Sequence, residues 1–181
     1  GQAHPRLSTL PTTDVIATYA RGTTLGDPSA SIVAKQINYD GTRAADGDFK
    51  FAVNAQANAY GLEWGIQGTA GIRTDTTATN GTSIDNAAST AFGLQAYLHV
   101  FAFTGTSVTV AIQESSDNAV GDPFANVTGG VFTAATGITS ERIATASGLT
   151  VERYLRVVTT GTFTNAQFAV NIVRNDTAVT F

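Results

Sequence analysis

A dense group of oxygen-bearing side chains follows one alternating stretch of the sequence. The stretch reads SVTVAIQ, and it runs directly into Glu114, Asp117 and Asn118. Carboxylates and carbonyl-bearing side chains at such close spacing are the ligand types of calcium sites, and a sugar site could use them too. However, Ser, Asp and Asn also bond to their own backbone in turns, and calcium needs about six or more oxygen ligands. The pattern therefore favours a turn, with a calcium site as the alternative.

A second acidic group occurs in the stretch DGTRAADGD, which contains Asp40, Asp46 and Asp48. Its acids superficially resemble those of a calcium loop. The ligand spacing of a helix-loop-helix calcium site is missing, and the flanking sequences do not predict helices. We therefore interpret this stretch as the loop of a β-hairpin.

The residues that could support catalysis are few and scattered. The only histidines are His4, in a predicted tail, and His99, on a predicted strand, and neither has a second metal ligand nearby in sequence. The chain has no cysteine and no G-x-S-x-G nucleophile elbow. A Ser-His-Asp triad is assembled in space and stays open as an alternative. We predict no catalytic residue, no metal and no cofactor, and hence a protein that is not an enzyme.

The single tryptophan, Trp64, lies in the stretch YGLEWG close to Tyr60. A lone Trp in a β domain is most often a packing or interface anchor, and a platform on which a sugar ring stacks is the sharper alternative. We expect Trp64 and Tyr60 to serve packing or an interface.

Composition restricts the partners. Charged residues make up 13% of the chain, the net charge is −4, and the cations are Lys35, Lys50 and scattered arginines. Binding DNA through its phosphates requires clustered Lys and Arg, so such binding is disfavoured. No apolar run approaches the ~20 residues of a membrane helix. The chain starts at Gly1 and contains no Met, from which we expect that an initiator methionine or a leader was removed.

Alternation with period two dominates the chain and predicts an all-β fold. Two segments, LHVFAFTGTSVTVAI and LRVVTTGTFTNAQFAVNI, each join two alternating stretches through Thr-Gly-Thr. We interpret them as two related β-hairpins that turn at Gly105 and Gly161. With short strands between them, about six strands are expected over residues 83–181, which indicates a β-sandwich or jelly roll.

The N-terminal part, residues 1–68, is predicted to contain a hairpin with strands at Ile32 to Tyr39 and Asp48 to Ala57 and a turn at Asp40 to Gly47. Residues 69–82 are small and polar without periodicity, which indicates an extended linker or arm.

We expect this arm to lie across a neighbouring subunit, because it has little to bury apart from Ile72 and long structureless stretches are uncommon in compact domains. Thr74 and Thr79 are further candidate interface positions. On this interpretation, deleting residues 74–79 leaves a folded monomer that no longer assembles.

One local resemblance supports the sandwich. The segments VAIQESSDN and ERYLRVV resemble the discoidin-type, galactose-binding jelly roll, in which a strand runs into Ser-x-Asp and a later strand carries Arg-Tyr-hydrophobic-Arg. The Gly-x-x-Trp that follows the Asp in that family is replaced here by NAVGDPFANV, which contains Phe124. This departure puts sugar binding by the motif in doubt.

A broader resemblance covers residues 34–174. Stretches such as AKQINYDGTRAADGDFKFAVNAQANAYGLEWG and AFGLQAYLHVFAFTGTSVTVAIQESSDN are similar to the major tail, or tail-tube, proteins of long-tailed bacteriophages. The resemblance implies a structural virion protein, assembled in the host bacterial cytoplasm. Its partners would be copies of itself, as hexameric rings stacked into a tube that DNA crosses without specific binding, and other virion proteins. The alternative is a capsid decoration or glycan-binding module of the virion surface.

Overall fold

The computed structural model describes residues 13–58 and 60–178, and for Phe51 it describes the backbone alone. All regular structure in this part of the chain is β, mostly in one large antiparallel sheet, as predicted from the alternation. The described residues include no helix that is long and apolar enough to cross a membrane. The strands, in chain order, are β1 Val15–Ala20, β2 Pro28–Gln36, β3 Asp40–Arg43, β4 Phe49–Ala52, β5 Ala55–Ala57, β6 Glu63–Gln67, β7 Arg73–Asp75, β8 Thr79–Asn80, β9 Ile84–Asp85, β10 Leu94–Ser115, β11 Ala125–Val131, β12 Thr139–Ala144 and β13 Tyr154–Arg174.

The chain divides into two compact units, which differ from the predicted boundaries at residues 68 and 83. One unit contains residues 1–17 and 31–63, and the other contains residues 18–30 and 64–181. We call them the hairpin unit and the sandwich unit. The sandwich unit therefore includes residues 18–30, which the sequence analysis assigned to the separate N-terminal part, residues 1–68.

Two long strands, β10 and β13, organise the sandwich unit. They pair antiparallel from Leu94↔Arg174 to Ser115↔Tyr154, with register shifts near Gly105. Gly105 and Gly161 have φ values of 150° and 117°, and a Cβ at either one would lie 2.4 Å from a backbone atom of the opposite strand. At this point the ribbon of two strands bends, and the inward residues on both sides of the bend join one core.

The prediction of two Thr-Gly-Thr hairpins is therefore wrong. Each Thr-Gly-Thr segment lies inside one continuous strand, and the two similar segments pair with each other rather than each folding back on itself. Glycine with positive φ is common to tight turns and to bends within strands, so the sequence signal did not separate the two.

The bend gives two layers. In the first layer, β12 pairs with the start of β10, while β6 and β7 pair with the end of β13. In the second layer, β11 pairs with the end of β10, while β8 and β9 pair with the start of β13. Between them lies a core of fully buried side chains that includes Leu98, Ile112, Leu155, Phe168 and Ile172. The result is an all-β sandwich built largely from one folded-over sheet.

Residues 69–82 are part of this sandwich. Strand β7 pairs with residues 166–168 of β13, β8 pairs with Val158 and Thr159, and Thr69 is buried. The prediction that this segment is an extended arm lying across a neighbouring subunit rather than packing in its own unit is wrong, because its backbone pairs with β13 of the same chain. Hydrogen bonds of the sheet, rather than apolar side chains, fix its position.

The hairpin unit contains two successive antiparallel pairings. β2 pairs with β5 at Ala34↔Ala57, and β3 pairs with β4 from Asp40↔Ala52 to Arg43↔Phe49. The predicted hairpin is present, but its turn is shorter than Asp40 to Gly47 because residues 40–43 form β3. We call residues 37–57 the exposed hairpin, since its described side chains are exposed except for the half-buried Asn38 and Tyr39.

Candidate functional site

The acidic stretch after β10 forms a hydrogen-bonded turn, which confirms the turn interpretation. The Asp117 carboxylate accepts hydrogen bonds from the backbone N–H groups of Val120, Gly121 and Asp122 at 3.0, 2.6 and 3.1 Å. Asn118 next to it has a φ of 62°, a value that Asn tolerates in turns. Partial desolvation raises the pKa of Asp117, but the three backbone donors outweigh it and bring that pKa below its ordinary value.

The neighbouring carboxyl groups also accept hydrogen bonds from residues in or beside this turn. Asp122 accepts from the backbone N–H and the hydroxyl of Ser116 at 2.8 and 3.0 Å, and these bonds lower its pKa. Glu114 accepts from the backbone N–H of Glu152 at 2.9 Å, while burial raises the pKa of Glu114. Burial also raises the pKa of Glu152, as does its hydrogen bond to Asp122. Among the described residues, no group of three or more His, Asp or Glu side chains is placed to hold a metal.

The second acidic stretch is the end of the exposed hairpin. Asp40 lies in β3, and the Asp46 carboxylate accepts from the backbone N–H of Asp48 at 3.1 Å. Gly47 between them has a φ of 93°. The interpretation as a hairpin loop is confirmed for Asp46 and Asp48.

The structure describes one of the two candidate histidines. His4 lies outside the described residues. His99 lies on β10, where its Nε2 and Nδ1 are 2.8 and 3.0 Å from the hydroxyls of Thr18 and Ser140. The ring is therefore bound to hydroxyl groups rather than to a carboxylate, unlike the histidine of a Ser-His-Asp triad.

Four of the five predicted interface residues are exposed. Trp64 and Ile72 are each 59% exposed, so Trp64 is no core anchor. Thr74 and Thr79 are exposed on β7 and β8, with their backbones paired to β13. Tyr60 is half-buried and belongs to the hairpin unit.

A buried ion pair holds β7 and β8, and the sequence reasoning missed it. Arg73 donates from Nε and Nη2 to the two carboxylate oxygens of Asp75 at 2.8 and 2.7 Å, and from Nη1 to the Val157 carbonyl at 2.8 Å. The Thr159 hydroxyl donates to Asp75 at 2.6 Å. The available signal was the Arg-Thr-Asp spacing, because residues i and i+2 of a strand share one face.

A shallow groove of about 700 Å³ lies beside this ion pair, between residues 23–25, 68–73 and 79–82. Arg73 is the charged residue of its lining, and each of its three nitrogens already donates to Asp75, Val157 or Thr79. The remaining lining is mostly threonine and small residues. The groove thus offers neutral hydroxyl groups and no free charge.

The residues of the discoidin-like motif contact one another. Arg156 lies 4.1 Å from the ring centroid of Phe124, and its Nη2 donates to the Gln113 side-chain carbonyl at 2.7 Å. Gln113 in turn donates to Asn126 at 3.0 Å. Phe124 belongs to the stretch that replaces the Gly-x-x-Trp of that family. Its ring therefore packs against the guanidinium group of Arg156.

The exposed hairpin carries the other feature that the sequence reasoning missed. Ile37, Phe49 and Val53 are 61%, 59% and 40% exposed. Large apolar side chains are normally buried, and an isolated two-stranded hairpin is marginally stable in water. This surface is the candidate functional site that the hairpin unit presents.

The comparisons with known proteins found no similar protein. No family model matches the chain, and neither a curated protein nor a solved structure matches it.

Proposed function

We propose that this chain is a structural subunit of a bacteriophage virion that assembles with copies of itself into the tail tube. The observation that carries the proposal is the exposed hairpin, which presents Ile37, Phe49 and Val53 to solvent while burying none of the described side chains between Asp40 and Asn58. A neighbouring copy that covered these residues would remove apolar surface from water and stabilise both chains.

The contacts that the arginine side chains make within the fold support this proposal. Arg73, Arg153 and Arg174 form ion pairs with Asp75, Asp85 and Asp176. The guanidinium groups of Arg142 and Arg156 lie over aromatic rings of the same unit, those of Tyr97 and Phe124. These cations are engaged within the fold, and the net charge is −4. Such a chain suits a channel wall, because a wall that gripped phosphates would retard DNA passing through it.

The fold is compatible with the same role. The sandwich, in which both ends of two long strands share one core, leaves β11 and β12 as the outer strands beyond β10. Outer strands can pair with another chain. Assembly could therefore use backbone pairing as well as the apolar contacts of the hairpin.

Negative-stain microscopy of the purified protein tests the proposal, with Phe49→Ser and Ile37→Ser as variants. We expect wild-type protein to form rings or tubes and both variants to stay monomeric. Ile138→Ser is the matched control, because Ile138 is 60% exposed but lies in the sandwich unit. Normal tubes from both hairpin variants, or monomers bound to capsid faces with tails built of another protein, would refute the proposal.

A capsid decoration or glycan-binding module is the second candidate, and the 59% exposure of Trp64 favours it. An exposed indole ring provides a flat apolar face on which a sugar can stack. A glycan array with wild type and Trp64→Ala tests it. Binding that is lost in the variant would support this candidate, and binding to no glycan would leave it without support.

A further inference from the structure

We propose that the peptide bond between Asp122 and Pro123 cleaves itself in mildly acidic solution, with the Asp122 carboxylate as the nucleophile and Glu152 as the proton donor. The inference concerns the turn between β10 and β11 and does not depend on the proposed function. The reaction cuts each chain once, into residues 1–122 and 123–181.

An Asp–Pro bond joins an internal nucleophile to a good leaving group. A carboxylate oxygen of the Asp can close a small ring on its own backbone carbonyl carbon, and such an intramolecular attack is much faster than attack by an outside group. The proline nitrogen carries no hydrogen and belongs to a tertiary amide, which accepts a proton more readily than an ordinary peptide nitrogen. The chain contains two such bonds, Asp27–Pro28 and Asp122–Pro123.

A buried hydroxyl group is directed at the carbonyl of Asp122. Ser115 is fully buried, and its Oγ donates to the Asp122 carbonyl oxygen at 2.7 Å. The same Oγ accepts from the backbone N–H of Ala119 at 2.9 Å, which fixes the direction of the hydroxyl. A donor in this position stabilises the negative charge that develops on a carbonyl oxygen under attack.

The carboxyl environment distinguishes the two Asp–Pro bonds. The Asp27 carbonyl also accepts a hydrogen bond, from the backbone N–H of Gln67 at 2.8 Å, so a carbonyl donor alone does not select Asp122. The Asp27 carboxylate accepts from the backbone N–H of Thr24 at 3.0 Å. The Asp122 carboxylate, by contrast, accepts from the carboxyl group of Glu152. Asp122 therefore has an acid beside it.

The two carboxyl groups are suited to different roles. Burial, and after it the hydrogen bond to Asp122, raises the pKa of Glu152 above its ordinary value of 4.5. The hydrogen bonds from Ser116 lower the pKa of Asp122 below its ordinary value of 3.8. Neighbouring groups whose pKa values are shifted apart in this way can act as acid and nucleophile at the same pH.

The other carboxylates of the turn keep the proton on Glu152. Glu114 accepts from the backbone N–H of Glu152 at 2.9 Å, and Asp117 accepts from the backbone N–H of Asp122 at 3.1 Å. Their negative charges disfavour a further charge on Glu152 and so raise its pKa. Glu152 therefore holds its proton where an exposed carboxyl group would lose it.

The nearby arginines are bound to other groups, and water has access. Arg153 donates from Nε and Nη2 to the two carboxylate oxygens of Asp85, each at 2.6 Å. Arg156 donates to the Gln113 side chain at 2.7 Å. Glu152 lines an open cleft of about 320 Å³, and Pro123 is exposed.

The reaction balances with one water molecule. A carboxylate oxygen of Asp122 bonds to its own carbonyl carbon, the bond from that carbon to the Pro123 nitrogen breaks, and the Glu152 proton passes to that nitrogen. Asp122 then holds a cyclic anhydride, which water opens to two carboxyl groups. The fragments stay together, because β10 before the cut pairs with β13 after it.

Mass spectrometry of the purified protein after incubation in acidic buffer tests the inference. At the lowest pH, from about 4 upwards, that leaves the circular dichroism native, we expect cleavage after Asp122 to be about tenfold or more faster than after Asp27. In concentrated urea, where the turn is lost, the two bonds should cleave at equal rates. The native rate should fall both below the pKa of Asp122 and above that of Glu152.

Four variants separate the contributions. Asp122→Asn should abolish the cut, whereas Asp27→Asn, the matched control, should leave it unchanged. Glu152→Gln, which keeps a hydrogen-bond donor but no acid, and Ser115→Ala should each slow the native reaction about tenfold or more and leave the rate in urea unchanged. An intact chain, equal cleavage of the two bonds in the native protein, or an unchanged native rate in Glu152→Gln overturns the inference.

Discussion

Residues 69–82 are almost free of large apolar side chains, whereas the exposed hairpin of residues 37–57 carries several, yet the polar segment is the one that packs in its own unit. Thr69 and Asp75 of the polar segment are buried, and its strands pair with β13. Phe49 of the hairpin is exposed. Packing of the polar segment thus follows the availability of hydrogen-bond partners, whereas Ile37, Phe49 and Val53 of the exposed hairpin stay exposed.

The Arg73–Asp75 pair explains how a polar segment can pack. The Asp75 side chain is 4% exposed and the Arg73 side chain 16%, and the carboxylate receives two guanidinium donors and the Thr159 hydroxyl. A buried charge is tolerated only when it is paired and hydrogen-bonded. The Lys50–Asp48 pair of the exposed hairpin is, by contrast, exposed and 3.8 Å long.

The largest effect is expected for deletion of residues 74–79. The deletion removes Asp75 and half of the β8 pairing and leaves Arg73 buried without its carboxylate. We now expect it to abolish the folded sandwich, rather than leave a folded monomer that merely fails to assemble. Far-ultraviolet circular dichroism and urea unfolding measure this. A deletion variant with native circular dichroism and cooperative unfolding would show that the segment contributes little.

A smaller but still large effect is expected for Asp75→Ala. Removing one partner of a buried ion pair costs about 3–5 kcal/mol in the free energy of unfolding, because the other charge stays buried and unpaired. Asp48→Ala, which breaks the exposed pair with Lys50, is the matched control and should leave the urea midpoint unchanged. If both variants lower the midpoint equally, burial is not what distinguishes the two regions.

Gly81→Ala should destabilise the sandwich by about 1–3 kcal/mol, as expected for overpacking. A Cβ at Gly81 would lie 2.4 Å from Arg73 Nη1 and 2.5 Å from the Val157 carbonyl, so it would break the hydrogen bond between them. Gly61→Ala, where a Cβ meets nothing within 4 Å, is the control for the change in backbone entropy. Equal thermal midpoints for the two variants would argue against close packing at Gly81.

The sequence predicted the parts of the fold that depend on alternation. The all-β class, the inward residues such as Leu98 and Ile112 and the turn at Asp117 follow from patterns within about ten residues. The sequence did not predict that β10 and β13 are continuous, because Gly105 and Gly161 suit a turn and a bend equally well. That choice depends on pairing between residues far apart in the chain, such as Gly105 and Phe163, and no local pattern encodes it.

The candidate site was harder to predict than the fold for a related reason. Exposure of Trp64, Ile37 and Phe49 is a property of the folded chain, and an apolar residue in a strand reads the same whether a core or a partner covers it. In the sequence, the Arg73–Asp75 pair likewise appears only as two residues of opposite charge two positions apart. The alternation of apolar and polar residues predicts on which face of a strand a residue lies. Only the fold determines whether that face packs in the core or is exposed.

The smallest effect on stability is expected for removal of most of the exposed hairpin. Replacing residues 40–52 with Asn-Gly joins Tyr39 to Val53 through a two-residue turn that suits antiparallel strands. These two residues flank the β3–β4 ladder, directly before Asp40 and directly after Ala52. Because no described side chain from Asp40 to Asn58 is buried, the urea midpoint of the sandwich should equal that of wild type. Assembly, followed by light scattering and negative-stain microscopy, should nevertheless be lost, since Phe49 is removed. A variant that unfolds at lower urea would mean that the hairpin supports its own chain, and a stable variant that still forms tubes would place the contact between copies elsewhere.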